Sequence, residues 1–153
     1  MKRFSPAVAG LLGLVLMGGL LPARAELEIS DAWVRALPPV QRSTAAYLTL
    51  RNSGPQALEV SGGSAALAQR VEIHRSEMAD GMMRMRQVSS LRLAPGETLQ
   101  LAPGGVHLML LGLSRMPDEG EQLELCLQAG AAGTACTSAT VRREAEARAH
   151  HHH

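Results

Sequence analysis

No apolar run in the body of this chain goes far before a turn-forming residue interrupts it, and that punctuation limits the folds open to it. The breaks are Pro38-Pro39, Asn52-Ser53-Gly54-Pro55, Gly62-Gly63, Asp80-Gly81, Pro95-Gly96, Pro103-Gly104-Gly105 and Gly130–Gly133. Between them the chain reads as strands at Leu27–Ala36, Thr44–Arg51, Ala57–Val60, Gln69–Ser76, Met82–Val88, Leu91–Leu93, Glu97–Leu101, Val106–Leu111, Gln122–Gln128 and Thr134–Val141. Only Ser64–Ala68 looks able to form a helical turn. The expected class is an all-β sandwich or barrel in a single domain.

The two ends read differently from this body. Residues 1–25 have the form of a secretory signal peptide, with Lys2 and Arg3, an apolar run Ala7–Leu21, and Ala23-Arg24-Ala25 as a small-x-small cleavage site. The run is too short and glycine-rich for a comfortable membrane span, so a soluble periplasmic protein with no stable membrane insertion is expected after cleavage. Residues 26–142 would be the folded domain, and 143–153 a charged tail ending in His150, His151, His152 and His153. Without the leader, twelve arginines face fourteen acidic residues, a formal charge near −2 with histidines neutral. The arginines are scattered, and Trp33 and Tyr47 are the only aromatics left, too few for a base-stacking platform. Nucleic acid is therefore not an expected partner.

Chemistry concentrates in Val71–Met109. His74 and His107 are the only histidines outside the tail, and Met78, Met82, Met83, Met85 and Met109 accompany them. Any one of these residues alone would be unremarked, since methionine is an ordinary core filler. Together they pair imidazole with thioether, a donor set that suits soft Cu(I) better than Zn, Mg or Ca. On a strand His107 and Met109 project from one face, about 6.5–7 Å apart, and Leu108 points into the core. Asp80-Gly81 predicts a two-residue hairpin turn with Ala79 opposite Met82, Ser76 opposite Met85 and His74 opposite Gln87. Met85 is then diagonal to His74. Met82 and Met83 point to opposite faces, Met83 sharing that of Met85, so Met83 is a further candidate ligand. Glu72, Glu77 and Asp80 read as solvated strand-edge and turn residues.

Cys126 and Cys136 are centred on residue 131, so a hairpin turning in Gly130–Gly133 sets them opposite one another as a candidate disulfide. Their competing use, as a pair of thiol copper ligands, lacks a Cys-x-x-Cys site. The four terminal histidines are a purification-tag remnant or a native site for Cu(II) or Zn(II), independent of the thioethers.

His74, ten residues, Met85, twenty-one residues and His107-x-Met109 together match the H-x10-M-x21-H-x-M signature, and the chain resembles the periplasmic PCuAC-type copper chaperones. The likeness extends through DAWVRALPP, AAYLTLRNSG, VEIH, DGMMRMR, LAPGG and HLMLLGL. It implies a cupredoxin-like Greek-key β-sandwich or barrel and a surface Cu(I) site made by His74, Met85, His107 and Met109. The implied role is non-enzymatic: supplying copper to an acceptor, either the CuA centre of a cytochrome c oxidase subunit or another periplasmic copper chaperone. The competing functions are a periplasmic copper buffer or resistance protein and a cupredoxin-type electron carrier. Blue-copper chemistry needs a cysteine ligand, and none lies near either histidine.

Overall fold

Alternation of apolar side chains along the strands decides which face of each turns inward. A computed structural model describes residues 26–143; the leader at 1–25 and residues 144–153, with His150–His153, lie outside the described residues. Eleven strands form: β1 (Leu27–Arg35), β2 (Ser43–Asn52), β3 (Leu58–Val60), β4 (Gly63–Ala65), β5 (Arg70–Ala79), β6 (Met82–Val88), β7 (Leu91–Leu93), β8 (Thr98–Leu101), β9 (Val106–Leu111), β10 (Gln122–Gln128) and β11 (Thr134–Arg142). The main sheet runs β1-β11-β10-β4-β5-β9-β2, and a further β1–β2 pairing closes it into a ring, with β1 and β11 parallel. The fold is a cupredoxin-like Greek-key β-barrel. Closure leaves β8, paired only with β2, and β6, paired only with β5, as the edge strands of this sheet. Among the described residues, no helix is long and apolar enough to cross a membrane.

Val34, Ala46, Leu48, Leu50, Val71, Ile73, Leu108, Leu110, Leu125, Leu127 and Val141 fill the interior. The short β3–β7 ribbon adds Leu58, Val60, Leu91 and Leu93 to the same core. Alternate positions on these strands therefore face out, and Tyr47, His74, His107 and Met109 are among them.

Two local features depart from the strand reading. The first lies in β1, where the β1–β2 register shifts by one residue between Ser30 and Trp33, with Asp31 at φ 53°. Such a bulge inverts which alternate residues face inward. Leu27 is in the core before it, Ala32 and Val34 after it, so Trp33 turns outward beside Tyr47. The second is Gly63, expected in a turn but paired within β4 against Leu127 and Val71. A Cβ at Gly63 would overlap the Cys126 carbonyl oxygen, so only glycine lets the strands approach there. The helical turn expected at Ser64–Ala68 is the end of this strand followed by a tight turn.

Cys126 and Cys136 are direct partners in the β10–β11 ladder and are joined by a disulfide. The chain between them passes through a single 3-10 turn, Gly130–Ala132.

Candidate metal centre

The site is built on the outer face of three neighbouring strands, β9, β5 and β6. Ile73 and Leu108 are inward-pointing partners on β5 and β9, so the next pair along, His74 and His107, faces out. Their ring centroids are 6.2 Å apart. Met109 stands opposite Glu72 in the same ladder, diagonal to His74. On the far side of β5, Asp80 and Gly81 adopt φ 53° and 74°, the paired left-handed conformation of a two-residue hairpin turn. That turn fixes Ala79 opposite Met82, Met78 opposite Met83, Ser76 opposite Met85 and His74 opposite Gln87. His74 thus has His107 across one ladder, Met109 diagonal on one flank and Met85 diagonal on the other. Met85 and Met109 lie two strands apart. Bringing both to one ion would call on the reach of the long methionine side chains across β5.

Each histidine is oriented by a fixed acceptor. The Gly105 carbonyl accepts from His107 Nδ1 at 3.0 Å and also from the Ser76 backbone N–H at 3.1 Å. A carbonyl only accepts, so the ring proton sits on Nδ1 and the Nε2 lone pair of His107 is free. Glu72 Oε2 lies 3.0 Å from His74 Nε2 and, as a carboxylate, accepts that proton, leaving Nδ1 of His74 as its free nitrogen. Glu72 also approaches Arg70 Nε at 3.5 Å. It is a positioning residue for His74 rather than the solvated edge residue its sequence setting suggests. The signal was a Glu-x-His pair on one strand, where i and i+2 share a face.

Behind the histidines lies a small apolar layer outside the barrel. Trp33, Ala45 and Tyr47 are buried there and pack against Met109. Trp33 and Tyr47 stack with centroids 4.5 Å apart, and Tyr47 is 6.2 Å from the His107 ring. The Arg35 guanidinium lies 5.4 Å above Tyr47. His107 is consequently only 4 % exposed, whereas Met85 is 55 % exposed. Burial holds the His107 pKa below the ordinary histidine range; the Gly105 hydrogen bond opposes this, and His74 and Arg35 add to it by charge repulsion. Among the described residues no three His, Cys, Asp or Glu side chains gather as a metal-binding group. The side chains flanking the His74–His107 pair include the thioethers of Met85 and Met109.

Residues 27–141 match the family model described as LpqE-like, a family named for a lipoprotein. The chain belongs to the LpqE-like family. Its relatives include Lxx21020 of Leifsonia xyli subsp. xyli (strain CTCB07), also named as a lipoprotein, at 32% identity over 135 residues, covering 82% of this chain and 80% of that one. Among solved structures, the copper-bound PCuAC domain from PmoF2 is similar in fold, with a TM-score of 0.65 at 24% identity, over 77% of this chain and 93% of that domain. The solution structure of CuI-DR1885 from Deinococcus radiodurans is similar at 34% identity with a TM-score of 0.56, over 76% of this chain and 77% of that one.

Proposed function

We propose that this protein is a Cu(I) metallochaperone of the cell envelope, holding the ion with His74, Met85, His107 and Met109 and passing it to a copper-accepting protein. The carrying observation is the His74–His107 cross-strand pair, each ring locked by a hydrogen bond at one nitrogen and free at the other, with thioethers on both flanks. Imidazole and thioether donors match a soft monovalent ion. The copper-bound forms of the PmoF2 domain and DR1885 support the same cargo here. Both cysteines of the chain are tied in the disulfide, so neither serves as a blue-copper ligand or as a lipid-attachment thiol. A disulfide persists in an oxidising compartment, which favours the periplasm.

Delivery follows from the gradient of exposure. His107 and Met109 sit against the apolar layer, while Met85 stands in solvent on the arm. An acceptor bearing thiolates would displace Met85 first and the histidines last, so copper need not pass through free solution. The acceptor we propose is the CuA domain of a cytochrome c oxidase. Mixing the Cu(I)-loaded protein with an apo-CuA domain should move copper to the acceptor at a rate that rises with acceptor concentration. A rate fixed at that of simple dissociation would overturn ligand exchange, and retention of copper by this protein would favour storage.

The histidines also set the pH response. Protons do not compete for thioethers, but each imidazole must be unprotonated at its free nitrogen. Because burial lowers the His107 pKa from the ordinary value of about 6.5, Cu(I) affinity should be nearly flat at neutral pH and fall below about pH 6. The same shift bears on the metal-free fold. Between the lowered folded value and 6.5 the unfolded chain binds more protons at His107, so stability is intact above this window and declines as pH falls through it. Chelator competition from pH 5 to 8 checks the first statement; a pH-independent affinity would remove the histidines from the site.

A further inference from the structure

Met78, Met82, Met83 and Met85 are 66 %, 58 %, 60 % and 55 % exposed, and among the described residues they are, apart from Val40, the large apolar side chains left in solvent. All four lie on the β5–β6 arm. Methionine that fills gaps is buried; these fill none. The arm sorts its residues by face. Met78 opposite Met83 and Ser76 opposite Met85 put three thioethers on the face that carries His74. The other face holds Arg75, Glu77, Arg84 and Arg86, with Met82 opposite Ala79. Expectation from the sequence extended to Met83 on this face but passed over Met78, although the hairpin register that pairs them was available.

The spacing suits a shared ligand. Directly opposed residues such as Met78 and Met83 have Cβ atoms about 5 Å apart, and Met83 and Met85, two apart on one strand, are separated by about 6.5–7 Å. Three flexible thioethers at such separations can converge on a single soft ion, while Mg or Ca would call for several oxygen ligands, and the positions around Met78, Met83 and Met85 on this face offer only the Ser76 hydroxyl.

We propose that Met78, Met83 and Met85 form a second, outer Cu(I) site, the first stop for the ion before the histidines; this rests on the Cu(I) cargo proposed above. Met85 belongs to both sites, so one ion occupies one or the other. Transfer inward exchanges the Met78 and Met83 sulfurs for His74, His107 and Met109, with Met85 retained. Copper stays Cu(I), and no proton or electron moves with it. The outer site is neutral and all-sulfur, which makes it a capture site for soft monovalent ions.

The test uses Ag(I), a soft monovalent probe, and the 13C-methyl resonances of methionine. In the His74→Ala protein, with the inner site disabled, the Met78, Met83 and Met85 methyls should shift together and Met82 should stay. Met78 and Met83 methyls that do not move, or a uniform shift that includes Met82, would overturn the outer site. In the protein with all histidines intact, Met78→Ala/Met83→Ala should slow loading from a Cu(I)–chelator complex several-fold and leave the final affinity unchanged. An unchanged loading rate would equally overturn it. A Met109 methyl unmoved in the wild-type protein would instead remove the inner site, so the two failures are distinct.

Discussion

Replacing His107 with alanine should lower Cu(I) affinity by more than about 100-fold, beyond what loss of a supporting residue around a metal typically costs. His107 is the most buried of the four proposed ligands, and its ring is pinned through Nδ1, so that the Nε2 lone pair is held in place without further ordering. Removing it takes away a ligand whose orientation was fixed before the ion arrived. The substitution need not strand the Gly105 carbonyl, which keeps its bond from the Ser76 N–H. Stability should therefore fall only within the usual range for a single substitution, about 0.5–3 kcal/mol. His74→Ala, Met85→Ala and Met109→Ala should also weaken binding, and Met82→Ala, on the other face of the arm, should not. Competition with a Cu(I) chelator, run beside thermal unfolding, separates loss of ligand from loss of fold. Equal affinities for His107→Ala and Met82→Ala would refute the assignment.

Reducing the disulfide, or replacing Cys126 and Cys136 together with serine, should cost about 2–3 kcal/mol, the loop-closure estimate for so short a connection. For a domain of this size that corresponds to a fall in Tm on the order of 10 °C. The bond joins direct ladder partners in β10 and β11, neither of which pairs with β5 or β9, the strands that carry the histidines. Copper affinity should accordingly be unchanged once the protein is folded. Denaturant unfolding with and without reductant measures the first quantity, and chelator competition the second. A large loss of copper affinity at full folding would show that the copper site depends on the cross-linked β10–β11 pair, contrary to its assignment to β5, β6 and β9.

The parts of this molecule legible in the sequence are those fixed by short-range chemistry. Asp80-Gly81 demands a particular turn, and the turn dictates every pairing from Ala79–Met82 back to His74–Gln87. Likewise, the alternation in Val106–Leu111 separates His107 and Met109 from Leu108. What could not be read depends on contacts between distant segments. The bulge at Asp31 leaves no glycine behind, yet it turns Trp33 outward onto Tyr47 and so builds the wall behind His107. Gly63 looks like turn punctuation until the Cys126 carbonyl is seen against it. The pairing of β5 with β9, which makes partners of His74 and His107, joins residues 33 apart in the chain, beyond the reach of any local signal.

Copper K-edge absorption on the protein loaded with one equivalent of Cu(I) tests the ligand set most directly. The spectrum should require both nitrogen and sulfur neighbours, with the nitrogen contribution reduced in His74→Ala and the sulfur contribution reduced in Met109→Ala. A first shell of nitrogen and oxygen alone would contradict the account.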